Sequence, residues 1–224
     1  MTAVLFGSIS TLADTSELQR RAFNEAFASS GLDWEWSRDE YVGMLGSNGG
    51  AQRIRDYAQS RGQDVDAAAV HALKSEIFQR LLGDSEVTPR DGVTATIAEA
   101  KKNNHKVGFV TTTSPANIDA LLSALEPEIS AETFDLIVNK ESVAAAKPDA
   151  AAYEFALGKL GERADSVVAI EDNLGGVAAA VQAGIPCIAF LNENTSRAEQ
   201  AEYTAAIQIV DSLDPETVLG LATS

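Results

Sequence analysis

Four short segments of this 224-residue chain carry side chains that can handle phosphate or a divalent cation. Glu171 and Asp172 directly follow the apolar run 167–170. Two acids at the carboxyl end of a buried strand suit Mg²⁺, a hard cation that takes carboxylate and carbonyl oxygens; the alternative is a polar turn or helix cap. Thr111, Thr112, Thr113 and Ser114 follow the run 106–110 and place hydroxyls and backbone N–H groups at a helix start. Unpaired donors and the helix dipole favour an anion there, although Ser114 before Pro115 is equally an N-cap signal. Lys147, between Ala146 and Pro148, is either an exposed loop lysine or the cation that neutralises a phosphate beside those hydroxyls. The fourth segment, 7–12, reads Gly-Ser-Ile-Ser-Thr-Leu and follows the run 3–6. Ser8 and Ser10 lie in it, with no histidine base expected near them.

These segments meet only if the runs before them lie in one sheet. Runs at 3–6, 106–110, 136–138, 167–170 and 187–190 are short, apolar and followed by Gly, Ser, Thr, Asn or charged residues, as strands buried on both faces are. Amphipathic stretches at 115–125, 150–160 and 175–183 separate the later runs, which predicts an α/β fold: three Rossmann-like layers around a parallel sheet. Residues 207–210 read as a last strand and 215–221 as a closing helix. Between residues 6 and 106 only helical patterns occur, at 17–29, 38–45, 51–60 and 65–82, broken at Gly31, at Gly49 with Gly50, and at Gly62. Such helices can form a small bundle, inserted at the carboxyl end of the first strand, where ligands bind in open α/β sheets. The expected division is a core of residues 1–13 and 91–224 with a helical cap of 14–90. Trp34 and Trp36 read as packing residues of that cap.

Lys and Arg number 17 against 33 Asp and Glu, a net charge of −16. That charge opposes nucleic acid and anionic lipid, and no basic stripe reverses it, so neither nucleic acid nor membrane is expected as a partner. No apolar run approaches the roughly 18 residues of a spanning helix. The N-terminal residues lack the basic region of a secretory signal, and a cytoplasmic protein is expected. A hydrophobic content of 45% with 22% charged residues excludes a predominantly disordered chain. The single Cys187, inside an apolar run, reads as a buried thiol.

In this order the segments resemble the haloacid dehalogenase (HAD) superfamily, over nearly the whole chain. Thr111 matches its motif II hydroxyl, Lys147 its motif III lysine, and Glu171 with Asp172 its acidic motif IV. Ala146-Lys147-Pro148-Asp149 and Glu171-Asp172-Asn173-Leu174-Gly175-Gly176 carry the likeness in combination, and the inserted helices are similar to a type-1 cap. Residues 18–27 and 32–36, with Gly49-Gly50, are most similar to the CbbY, β-phosphoglucomutase and phosphoglycolate phosphatase branch. The resemblance implies a phosphorylated small molecule bound through Thr111, Thr112 and Lys147, and Mg²⁺ held by Asp172 with Glu171.

The first motif departs from the family, whose active members end strand one in Asp-x-Asp-Gly-Thr-Leu. Their first Asp attacks phosphorus and ligates Mg²⁺; the second is the general acid and base. Thr11 and Leu12 fix the register here, so Gly7 stands at the nucleophile's place and Ile9 at the acid/base place. Neither side chain can perform its step. Cap positions differ too: Ser16 stands where the branch usually has Glu, Gln19 where it has His, and Ala51 where a Gly-Gly-Lys loop has Lys, while Arg53 is kept. With a first-motif carboxylate missing, Mg²⁺ binding is expected to be weakened, the Ile9 carbonyl still offering an oxygen. The sequence thus predicts a catalytically impaired HAD-like hydrolase that keeps a phosphate cleft. Two alternatives stand beside it: an active Mg²⁺-dependent sugar-phosphate phosphatase with an unrecognised nucleophile, and a structural or protein-interaction paralogue with a vestigial cleft. Aspartates at positions 7 and 9 are expected to restore the first motif's chemical groups.

Overall fold

The computed structural model describes residues 3–45, 49–192 and 200–221. Six parallel strands form one sheet in the order β3-β2-β1-β4-β5-β6. They are β1 (Ala3–Phe6), β2 (Lys106–Val110), β3 (Leu136–Val138), β4 (Val167–Glu171), β5 (Cys187–Phe190) and β6 (Gln208–Val210). The order reverses direction between β1 and β4, which places the ligand crevice of an open α/β sheet at their carboxyl ends. Phe6 pairs with Phe109 on one side and Ile170 on the other. Gly7, Val110 and Glu171, the residues after them, therefore stand level on the rim.

Both faces of the sheet are covered, which is why β1 and β5 are apolar and buried at every position. Val4, Phe6, Phe109, Ile170 and Ile188 pack in one apolar cluster, with Leu121 and Leu125 of α7 (Pro115–Leu125). Leu5, Val110, Ala169 and Cys187 face the other, with Tyr153 and Ala156 of α8 (Ala151–Leu160) and Val177 of α9 (Leu174–Gln182). A last helix, Pro215–Gly220, is started by Asp214, whose side chain accepts from the Thr217 N–H.

The inserted helices carry an apolar core of their own. Helices α2 (Ser16–Ser29), α3 (Arg38–Gly43), α4 (Gly50–Ser60) and α5 (Ala67–Gly83) make up the insertion, and between them lie Phe23, Phe27, Trp34, Trp36, Tyr41 and Ile54. Trp36 is fully buried, its ring 4.6 Å from that of Phe27 and 4.9 Å from that of Phe23. The last of these helices starts at Ala67 rather than 65 because the Asp66 carboxylate accepts from the N–H groups of Ala68 and Ala69. Arg90 ties the insertion to the sheet: its N–H donates to the Leu12 carbonyl at 2.8 Å, and its guanidinium donates to Ser10 and Phe190 carbonyls, each at 3.0 Å. Gln79 reaches across to Asn117 of α7 at 2.9 Å.

Two helices were not individually read from the sequence. Helix α1 (Ile9–Leu12) is a single turn capped by Ser8, which accepts from the Thr11 N–H while its own N–H donates to the Thr11 hydroxyl. Helix α6 (Val93–Lys102) is preceded by Gly92, whose φ of +81° suits a residue without Cβ. No helix among the described residues is long and apolar enough to cross a membrane.

Candidate functional site

The Gly7 N–H donates to the Ile170 carbonyl at 2.9 Å, which sets Gly7 beside the end of β4. Glu171, last residue of that strand, is completely buried. Its Oε1 accepts from the Lys147 ammonium at 2.5 Å and from the Tyr153 hydroxyl at 2.8 Å. Lys147 also donates to the Val110 carbonyl at 2.6 Å and to that of Gly7, and its Nζ lies 4.6 Å from the Tyr153 ring centroid. An ammonium has three N–H donors, and all three have acceptors here. Burial pushes the Glu171 carboxyl up, with Lys147 pulling the other way. Burial, then the Glu171 charge, drives the Tyr153 phenol well above its ordinary range.

Asp172 lies one residue beyond the strand and is nearly buried. Its Oδ1 accepts from the Ser8 hydroxyl at 2.6 Å and the Asn173 amide at 2.8 Å; its Oδ2 accepts from the Asn192 amide at 3.1 Å. Ile9 packs in the apolar cluster with Val4 and Phe6. Thr111 is buried, its N–H donating to the Val138 carbonyl at 3.0 Å and its Oγ1 accepting from the Thr113 N–H at 3.3 Å. Thr112 beside it is half-buried. Ser114 caps α7, its Oγ accepting from the Asn117 N–H at 3.3 Å. The N-cap reading of Ser114 and the rim position of Thr111 thus hold together in one loop.

On the inserted helices, the N–H and hydroxyl of Ser16 donate to the Asp14 carboxylate, the former at 3.1 Å. Gln19 accepts from the buried Lys74 ammonium at 2.6 Å. Lys74 lies 4.7 Å from the ring centroid of Phe23 and 4.8 Å from that of Phe78, and burial, reinforced by Arg53, lowers it to about 7. Arg53 is buried, donates to the Met44 carbonyl at 3.0 Å, and sits 5.5 Å from the centroid of Tyr41. Ala51 is half-buried in the first turn of its helix. His71 is lowered to about 4 by burial, then by Lys74, Arg53 and Lys140.

Sequence reasoning missed Tyr153, Asn192 and Lys74. Asn192 stands two residues past the run 187–190, and the post-strand rule that found Thr111 and Asp172 finds it as well. Tyr153 and Lys74 occupy apolar-face helix positions that carry no chemical signal.

The parallel sheet, the helical insertion after β1 and the rim of Thr111, Lys147 and Asp172 define a haloacid dehalogenase-like hydrolase. Residues 1–184 match the family of that description, and the chain belongs to it. Hydrolases of this family generally use Mg²⁺. Protein CbbY of Cereibacter sphaeroides is 38% identical over 213 residues, which span 94% of this chain and 91% of the relative. Two crystal structures of CbbY from Rhodobacter sphaeroides, one in complex with phosphate and one, of a point variant, with xylulose-(1,5)bisphosphate, each match with a TM-score of 0.86 at 38% identity, covering 95% of this chain and 94% of theirs. Phosphoglycolate phosphatase of Photorhabdus laumondii is a more distant relative, 25% identical over 189 residues, 83% of this chain and 78% of its own.

Proposed function

We propose that this chain is a catalytically impaired CbbY-like member of the family that keeps a cleft for a phosphorylated small molecule, residues 14–90 being its cap and 1–13 with 91–224 its core. The observation that carries this is the rim at Gly7: no side chain is present to attack phosphorus, and the adjacent space holds the Glu171 carboxylate. Ile9, at the acid/base place, is packed in apolar core and can hold no proton. Enzymes of phosphate-monoester hydrolysis supply up to about 10²¹-fold acceleration. A hydrolase stripped of its catalytic side chains retains about 10³ to 10⁴ over water from binding and positioning, so what remains here is negligible turnover.

Retained binding is supported by Thr111 and Thr112 just before α7, by Lys147, and by Arg53 on the insertion. The phosphate and bisphosphate complexes of the CbbY relatives point to the same class of ligand. The donors do not fit a tightly held divalent cation. Gly7 offers no carboxylate, Glu171 Oε1 is taken by Lys147 and Tyr153 while its unpartnered Oε2 is buried against Gly176, and among the described residues no three His, Cys, Asp or Glu come together. Mg²⁺ is accordingly bound weakly, through Asp172. What this chain's own residues do is hold the anion with hydroxyls, backbone N–H groups and cations, and screen it beneath the inserted helices.

One observation favours an active enzyme as the second reading: the Ser8 hydroxyl lies 2.6 Å from the Asp172 carboxylate, a base the sequence did not place beside it. Calorimetric titration of xylulose 1,5-bisphosphate tests the binding half of the proposal. Saturable binding is expected, weakened about tenfold by Arg53→Ala through loss of a charge-assisted contact and little changed by EDTA. Absence of binding at millimolar ligand, or binding that requires Mg²⁺, would overturn it.

A further inference from the structure

We infer that Glu171 sets the anion affinity of this cleft, by filling the place beside Gly7 and occupying the Lys147 ammonium; the inference rests on the reading of the cleft as a phosphate site. Two glycines far apart in sequence make the room. A Cβ on Gly7 would stand 2.1 Å from both Cδ and Oε1 of Glu171 and 2.5 Å from the Tyr153 hydroxyl. A Cβ on Gly176 would stand 2.1 Å from the same Cδ and 2.2 Å from Oε2. Side chains at those positions never approach so closely, so the carboxylate lies in a slot that exists because both residues lack one.

Seated there, Glu171 decides what Lys147 can do. One of the three donors of the ammonium goes to Glu171 Oε1 and the others to the Gly7 and Val110 carbonyls. An anion reaching Lys147 must take a donor from one of these partners. It also meets the Glu171 charge and, at the rim, the Asp172 carboxylate, whose hydrogen-bond partners Ser8, Asn173 and Asn192 are all uncharged. The second oxygen, Oε2, is buried without a hydrogen-bond partner. Leaving a buried acceptor unsatisfied is costly, and a carboxylate that only solvated its own oxygens would not settle in this way. The slot and the lysine hold it.

Removing the carboxylate therefore returns Lys147 to a ligand and takes away a nearby negative charge. The test is calorimetric titration of inorganic phosphate into the full chain and into Glu171→Gln, Glu171→Ala and Glu171→Ala/Lys147→Gln, each checked for cooperative thermal unfolding. Both single variants are expected to bind phosphate about tenfold tighter than the unaltered chain or better, and the gain is expected to vanish in the double variant. Glu171→Gln keeps the side chain's volume and decides the matter if Glu171→Ala fails to fold. Affinity unchanged or weaker in the single variants, or a gain that survives loss of Lys147, would overturn the inference. The readout is binding, so it stands apart from the impaired-enzyme reading: turnover by the unaltered chain would defeat that reading and leave the order of affinities as it is.

Discussion

Lys147→Met is expected to destabilise this protein more than any other single change at the rim. It removes the cation from a carboxylate that is fully buried, and breaking a buried pair from one side costs about 3–5 kcal/mol because the partner is left uncompensated. For a chain of this size each kcal/mol lowers the melting temperature by about 2–4 °C, so a fall of roughly 6–20 °C is expected. The loss should also depend on pH. Burial already pushes the Glu171 carboxyl up, and Lys147 is the chief influence holding it down. Without the lysine the folded-state value rises further above that of the unfolded chain. A group with a raised folded-state value contributes stability that is present at low pH and lost as pH rises through that value. The penalty of Lys147→Met should therefore be small near pH 4 and grow toward neutrality. Adding Glu171→Gln should recover much of it, since no charge is then stranded. A melting temperature within a degree or two of the unaltered chain at pH 7.5 would show that the two groups are not an interdependent pair.

Gly7→Asp is the second large effect. The new Cβ would fall 2.1 Å from Glu171 Cδ, so either Glu171 leaves its slot or the end of β1 shifts. In both outcomes a third carboxylate gathers beside Glu171 and Asp172. Overpacking and like-charge crowding in a buried place belong to the mechanisms behind the largest single-residue losses, and about 2–5 kcal/mol is expected in EDTA. Mg²⁺ should return a good part of this, because a cation that binds only the folded state stabilises it by mass action. Thermal unfolding of the unaltered chain, Gly7→Asp and Gly7→Asp/Ile9→Asp, each with and without millimolar Mg²⁺, reads both terms. The variants should melt lower in EDTA and gain on adding Mg²⁺, while the unaltered chain moves little. A Gly7→Asp variant as stable as the unaltered chain in EDTA would show that Glu171 is free to move aside. The structure thus adds a condition to restoring the first motif: the chemical groups return only if Glu171 yields its place.

The sheet was legible because strands buried on both faces are apolar through most of their length and turn polar near their ends. Runs such as 106–110 and 187–190 coincide with β2 and β5, and Thr111, Lys147 and Asp172 follow as rim residues. Glu171 was harder. Adjacent acids read naturally as joint ligands of one cation, but successive strand residues point to opposite sides. Glu171 is still in β4, bound to Lys147 and Tyr153, while Asp172 is beyond it, bound to Ser8 and Asn192. The slot itself had no local signal, since it is made by Gly7 and Gly176 together and filled by a third residue. The turn Ile9–Leu12 escaped for a different reason: four residues are too few for a helical period, and only the Ser8 and Thr11 caps mark it.

The central claim, a phosphate cleft without its chemistry, is tested most directly by phosphate release from a panel of sugar phosphates and bisphosphates with Mg²⁺. The unaltered chain should be run beside Ser8→Ala and Asp172→Ala, each purified by two different methods. The account predicts release no greater from the unaltered chain than from the two variants. Release that persists through both purifications and is lost in Asp172→Ala would contradict it, and its loss in Ser8→Ala as well would identify the group that does the work.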